Sequence, residues 1–197
     1  KGQRQAAIPL RIKNTFEPEH PGAVIRGDLE PRAPAVEMIT GLKSVFAFEF
    51  FEQDMVGVKG YDAAILEVLK RHKLRIVSKT SNANTITHFL KGTAKAIKRV
   101  EQDLCTRFPA AAMSTRSVAV IAIIGRDLRL PALAARALGA LAEAGIEPLG
   151  FNDLLRKVDM QVVVNEADHD ASIRALHEAL IEPGASGELA TSRRSAA

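Results

Sequence analysis

The hydrophobic pattern of the segment Ser44–Val77 changes its period twice. An apolar run rich in phenylalanine, Val45–Phe51, is typical of a buried strand. A turn that contains Gly57 and Gly60 follows, and apolar residues then recur at helical spacing around Ile65–Leu69 before a second apolar run begins. The segment therefore predicts a strand, a glycine turn, an amphipathic helix and another strand.

The same pattern occurs a second time in Val118–Leu149. Asp54 aligns with Asp127 and Leu74 with Ile146, so the two copies lie about 73 residues apart, as expected of a duplicated unit. Each copy is followed by a further alternating strand and a second helix. These are Thr85–Leu90 and Thr93–Phe108 in the first copy, and Asp159–Val164 and Asp170–Ile181 in the second. The chain is thus predicted to contain two β-α-β-β-α modules.

The composition agrees with two small domains that each bury a core. The chain has 197 residues, 47% of them hydrophobic, and a net charge of +4. Its basic residues are dispersed and tryptophan is absent, which argues against a nucleic-acid surface. No apolar run has the length of a membrane span and the five histidines are scattered, so neither a membrane nor a metal is an expected partner. Cys105 suits a reducing compartment and is expected to be a packing residue.

The first 33 residues differ from the repeat because they are rich in proline and lack periodicity. Within them, IPLRIKNTFEPEHPGAVI resembles the closing strand and loop of the kinase domain of aspartate kinases. It matches their R-x-x-N-T-F-x-P-x-x-P-G pattern from Arg11 to Gly22. KTSNANTITHFL, residues 79–90, is similar to the loop and strand in which that family usually carries a Ser-Ser-Glu signature. Together with EQDMVG and KVDMQVVVNEADHD, this segment most resembles the aspartate kinases of the ectoine pathway.

The resemblance implies an α+β fold. Two ferredoxin-like β-α-β-β-α-β units, known as ACT modules, would follow in tandem, with antiparallel sheets and helices on one face. Residues 1–33 would be the end of a kinase domain and a linker, and residues 34–112 and 113–183 the two modules. The strand at about residues 34–42 would pair within the second module, so that the first module is inserted into the second. The small polar residues of 184–197 predict a disordered tail.

The resemblance also implies a function. The parent enzyme would phosphorylate L-aspartate with ATP and Mg to give 4-phospho-L-aspartate in the cytoplasm, for the biosynthesis of aspartate-family amino acids or of ectoine. This chain would be its regulatory and oligomerisation region, which lacks the catalytic domain and is expected to have no kinase activity and no cofactor of its own. Its expected partners are further copies in a homodimer or higher homo-oligomer, its own kinase domain, and L-threonine or L-lysine as effector.

Two loops are the candidate effector site: the loop before the first helix and the loop that leads into the third strand. The first N–H groups of a helix bind a carboxylate well, and nearby aspartates and hydroxyls offer acceptors for an ammonium group. The alternative is that Asp62 is only a helix cap and the second loop only a turn. The predicted effector-binding residues are Asp54, Met55, Val56, Gly57, Gly60, Tyr61, Asp62, Thr80, Ser81, Asn82, Asn84, Thr85 and Ile86.

Two departures from the family pattern bear on this site. Ala83 stands where the family has its glutamate, which removes a partner for an effector's ammonium and argues against sensitivity to lysine. In the second module, Arg156 and Lys157 replace small polar residues, and the strand-helix turn has Pro131 but no glycine, so no effector is expected there. Two alternatives therefore stay open: a stand-alone ACT-type sensor of small molecules, and an assembly module without a ligand.

Overall fold

The computed structural model describes residues 8–25, 34–128, 130–153 and 157–182. The chain divides into two compact units, residues 1–33 and 34–197. In the first unit, the short strands β1 (Leu10–Ile12) and β2 (Ala23–Ile25) pair antiparallel. The Arg11 guanidinium donates to the carbonyl of Pro21 at 3.3 Å and so ties the proline-rich loop to its hairpin.

The second unit is a six-stranded antiparallel sheet with four helices. Its strands lie in the order β4-β5-β3-β6-β8-β7. Short 3-10 helices, Gln53–Met55 and Glu166–Asp168, precede the first and the last α-helix. The elements are β3 (Ala35–Phe51), α1 (Tyr61–Arg71), β4 (Arg75–Ser81), β5 (Thr85–Lys91), α2 (Ala94–Arg107), β6 (Ala112–Arg126), α3 (Leu130–Glu143), β7 (Gly150–Asp153), β8 (Asp159–Asn165) and α4 (His169–Leu180).

Two long strands, β3 and β6, run through the whole unit side by side. Residues 45–51 of β3 pair with 112–118 of β6 and border β5, whereas residues 35–42 pair with 120–126 and lie beside the strand pair β6–β8. We call residues 45–117 the first half, and residues 35–42 with 118–180 the second half. In each half, four strand segments and two helices are arranged as one β-α-β-β-α-β module. The second half includes residues 35–42 of β3, which precede the first half in the sequence.

The strand expected at about residues 34–42 does not end there, because β3 runs from Ala35 to Phe51. The pairing shifts register between Leu42 and Val45, where Ser44 adopts a positive φ of 56°. This bulge bends the strand without ending it. It also interrupts the alternation of apolar and polar residues, so the hydrophobic pattern alone suggests a break at this point. Since β6 also crosses from one half to the other without a break, the module boundary between residues 112 and 113 stays a prediction. The predicted tail, residues 184–197, lies outside the described residues.

Two apolar cores lie under the helices, on the same face of the sheet. In the first half, Phe48 and Phe50 of β3 pack against buried residues of α1 and α2, and in the second half Ile121 and Ile123 of β6 pack against α3 and α4. The α+β fold with antiparallel strands and helices on one face is thus confirmed. Cys105, in contrast, is exposed, so the expectation that it packs in the core is wrong. Across the described ranges, none of the helices combines the length and the hydropathy needed to cross a membrane.

Candidate functional site

The loop between β3 and α1 is shaped by two glycines in left-handed conformations. Gly57 has φ 76° and Gly60 has φ 103°, values that residues with a Cβ rarely adopt. Gly60 is the N-cap of α1, and no side chain caps this helix. The first N–H groups of α1 therefore face the loop with the positive end of the helix dipole behind them.

The turn between β4 and β5 is held together by Asn82. The Asn82 Oδ1 atom accepts from the backbone N–H of Asn84 at 3.2 Å and of Thr85 at 2.9 Å, and the Asn82 N–H donates to the Thr85 carbonyl at 3.0 Å. The turn meets the first loop through the N–H of Glu52, which donates to the carbonyl of Asn84 at 3.0 Å. These backbone bonds fix the distance between the two loops.

A cleft of about 320 Å³ lies between the two loops. Eight of the thirteen predicted site residues line it: Met55, Gly57, Gly60, Tyr61, Asp62, Ser81, Asn82 and Ile86. Val58, Lys79 and Ala83 complete the lining. The two loops chosen from the sequence therefore border one cleft, and Ala83 lies in its wall at the position where a glutamate was expected.

Five predicted site residues do not line the cleft. Asp54 and Val56 are exposed on the outside of the first loop, and Asn84 and Thr85 form the turn behind it. Thr80 lines a different cavity, of about 440 Å³, on the helix-free face of the sheet. The alternation of side chains along β4 explains this position, because neighbouring residues of a strand face opposite sides.

The sequence argument missed two residues at the cleft: Lys79, which lines it, and His88, which lies behind Lys79 and Asp62. The Lys79 ammonium donates to Asp62 Oδ2 at 2.8 Å. His88 lies directly opposite Lys79 in the β4–β5 ladder and is fully buried, with its Nε2 atom 3.8 Å from Asp62 Oδ1. His88 lies between Ile86 and Leu90, and all three occupy inward positions of an alternating strand. A polar residue at such a position was the indication of this site in the sequence.

His88 and Asp62 form a polar pair at the edge of an apolar core, which is unusual. Burial lowers the pKa of His88 from 6.5 to about 4, because the uncharged imidazole is favoured away from water; the Asp62 carboxylate opposes this shift only in part. At neutral pH the ring is therefore neutral, with one donor and one acceptor nitrogen. Asp62 Oδ1 and both ring nitrogens of His88 are buried without a hydrogen-bond partner in the described structure.

The arrangement suits the binding of a small zwitterion better than it suits chemistry on a substrate. The first N–H groups of α1 can receive the carboxylate of a ligand. Asp62 can receive its ammonium group, and it is the one acidic residue in the described lining. No group of three or more potential metal ligands is found among the residues that the structure describes. The cleft also offers no hydroxyl or thiol paired with a base in that lining.

Comparison with known proteins relates the chain to one group of enzymes. It is 46% identical over 189 residues to the aspartate kinase Ask_Ect of Stutzerimonas stutzeri (strain A1501), which covers 96% of this chain and 40% of that protein. The chain thus spans less than half the length of this curated relative. No protein-family model matches it.

Two solved structures share the fold at low sequence identity. E. coli aspartokinase III, solved in complex with lysine and aspartate, has a TM-score of 0.75 and 16% identity, over 91% of this chain and 40% of that one. The regulatory subunit of aspartate kinase from Thermus flavus has a TM-score of 0.63 and 17% identity, over 74% of this chain and 98% of the subunit. The chain is therefore homologous to part of an aspartate kinase, and it shares its fold with an aspartate kinase regulatory subunit.

Proposed function

We propose that this chain is the regulatory and oligomerisation region of an aspartate kinase. The observation that carries the proposal is the 46% identity to Ask_Ect over nearly the whole chain, joined to a fold that matches a regulatory subunit over 98% of its length. The parent enzyme transfers a phosphoryl group from Mg-bound ATP to L-aspartate, giving 4-phospho-L-aspartate in the cytoplasm. The ectoine pathway is the proposed destination, because residues 52–57, 79–90 and 157–170 together most resemble the aspartate kinases of that pathway. This chain contributes no catalytic group and holds no ATP or Mg itself.

The proposed regulatory site is the cleft between the two loops of the first half. Its ligand is an amino acid, with L-threonine or L-lysine as the candidates, and E. coli aspartokinase III supplies a precedent because it was solved with lysine. An effector controls the enzyme only through different affinities for the active and inactive arrangements. The partners needed for that coupling are a second copy of the chain, in a homodimer or larger homo-oligomer, and the kinase domain.

A second candidate function is assembly without a ligand. Ala83 favours it, because the carboxylate expected in the cleft wall is missing. In that case the module would hold subunits together by covering the edges of the sheet. A stand-alone sensor is less well supported, since residues 11–22 match a kinase-domain pattern.

Calorimetric titration separates these functions. The 197-residue chain is titrated with L-threonine, L-lysine and ectoine while light scattering follows its oligomeric state. Saturable heat with one amino acid supports the regulatory site, whereas a stable oligomer with no heat from any of the three supports assembly alone. Asp54→Asn is the matched control, because Asp54 belongs to the same loop and does not line the cleft. Phosphoryl transfer from ATP to L-aspartate by this chain would contradict its proposed lack of catalysis.

A further inference from the structure

Three of the four buried polar side-chain atoms without a partner in the described structure lie at one place. They are Asp62 Oδ1 and the two ring nitrogens of His88. Native proteins contain few such atoms because each costs free energy, and a cluster of them calls for a reason beyond packing. The cluster lies directly behind the cleft wall that Asp62 and Lys79 form.

Comparison with the equivalent positions of the second half shows whether the fold itself requires these polar groups. By alignment of the repeats, Asp62 corresponds to Ala134 of α3 and His88 to Val162 of β8. Val162 is fully buried in the second core, and Ala134 packs against that core. The same helix and strand thus pack with apolar residues where no comparable cleft was expected, so the polar pair is a feature of the half that has the cleft.

The distances describe a carboxylate that is held on one side only. Lys79 Nζ lies 2.8 Å from Asp62 Oδ2, whereas His88 Nε2 lies 3.8 Å from Asp62 Oδ1, about 1 Å beyond a hydrogen bond. The Asp62 side chain is 43% exposed, so the cleft reaches its outer oxygen. This oxygen is therefore open to a cation that arrives from the cleft and competes with Lys79.

We infer that Asp62 is the receptor for the ligand's ammonium group, that His88 is a positioning residue which holds this carboxylate from behind, and that the cleft takes small α-amino acids with a single cationic group. The inference rests on the proposed regulatory site and specifies its ligand. Asp62 takes the role left vacant by Ala83, at a different point of the cleft wall. Lys79 repels a second positive charge, and no other lining residue among those described offers a carboxylate to hold it.

In the bound state the neutral imidazole donates its Nε2 hydrogen to Asp62 Oδ1, and the distance shortens from 3.8 Å to about 2.8 Å. Because His88 lies in the middle of β5, this contact links occupation of the cleft to the core of the first half. The ligand's carboxylate lies at the uncapped N-terminus of α1.

The test is a titration of the wild-type chain and three variants with L-threonine and L-lysine. Wild type is expected to bind L-threonine at least about 10-fold more tightly than L-lysine. Asp62→Asn is expected to weaken L-threonine binding about 10-fold or more, because a hydrogen bond between two charged groups is lost. His88→Val is expected to weaken it several-fold while the melting temperature rises, because two buried ring nitrogens without a partner are removed. The control Asp54→Asn is expected to bind like wild type.

A second readout separates positioning from simple support of the fold. The NMR signals of the His88 ring nitrogens are expected to shift on addition of L-threonine in wild type, and to stay unchanged in Asp62→Asn. If L-threonine binds but neither Asp62→Asn nor His88→Val alters its affinity, this inference is wrong and the regulatory site stands. Tighter binding of L-lysine than of L-threonine also overturns it. If neither amino acid binds to wild type, both the inference and the proposed effector site fail.

Discussion

The two halves of the sheet have the same topology, and they differ where a strand leads into the first helix of each half, next to the hairpin turn. In both halves one backbone bond joins the loop to the turn: Glu52 N–H to Asn84 O at 3.0 Å in the first, and Gly125 N–H to Val158 O at 2.9 Å in the second. In the second half another bond follows, from Leu128 N–H to the carbonyl of Lys157 at 2.9 Å. This second bond closes the loop onto the turn.

The first half lacks this second bond in the described structure. The N–H of Met55, which corresponds to Leu128, donates instead within its own loop, to the carbonyl of Glu52 at 3.1 Å. The chain then passes through Gly57 before it enters α1, whereas α3 begins within two residues of Leu128. Among the described residues, the loop of the first half is thus joined to its turn by one backbone bond fewer, and the buried polar pair of Asp62 and His88 lies in that half.

The largest expected difference between the halves is in their response to acid. His88 has a pKa of about 4 in the folded chain and 6.5 when unfolded, so the unfolded chain binds more protons between these values and stability falls as the pH is lowered through this range. The loss is about 3 kcal/mol by pH 4. In His88→Val, which copies Val162 of the second half, this contribution disappears.

Urea unfolding of wild type and His88→Val between pH 4 and pH 7 measures this effect. The variant is expected to be the more stable protein at every pH, with the gap widening as the solution becomes more acidic. Parallel curves for wild type and His88→Val would mean that the ring is solvated or paired in solution.

The next effect concerns one glycine of each half, Gly57 in the loop before α1 and Gly125 near the end of β6. A Cβ at Gly125 would lie 2.2 Å from the Ala35 carbonyl oxygen and 2.7 Å from the Leu128 side chain, whereas a Cβ at Gly57 meets nothing within 4 Å. Gly125→Ala is therefore expected to cost about 2 kcal/mol of the free energy of unfolding through overpacking. Gly57→Ala is expected to cost about 1 kcal/mol, because its φ of 76° is strained for alanine. Chemical denaturation of both variants checks the order, and equal costs would contradict the tight packing around Gly125.

The sequence predicted the repeat, the helices and the two loops of the cleft because all of these follow from local period and turn chemistry. It missed the course of β3 through residues 41–44, where a bulge has no clear local pattern. His88 could be placed in the core from its alternating strand, yet its partner Asp62 lies far away in sequence, on another element. Only packing of α1 over β5 brings the two together, and no spacing rule specifies it.

The smallest expected effect is at the junction between the halves. Glu166 accepts from the N–H of Ser44 at 2.8 Å, from its hydroxyl at 3.0 Å and from the hydroxyl of Ser117, which joins the 3-10 helix of the second half to the bulge of β3 and to β6. These hydrogen bonds, with the Ser117 hydroxyl first, hold the pKa of Glu166 below its ordinary value of 4.5.

A carboxylate with a lowered pKa adds stability above its unfolded pKa and loses that contribution as the pH falls through the folded value. Glu166→Gln is therefore expected to melt at a lower temperature than wild type at pH 7, with the two curves converging below pH 4.5. Glu178→Gln, on the exposed side of α4, is the control and should match wild type throughout. A deficit in Glu166→Gln that persists in acid would mean that the junction depends on the shape of the side chain rather than on its charge.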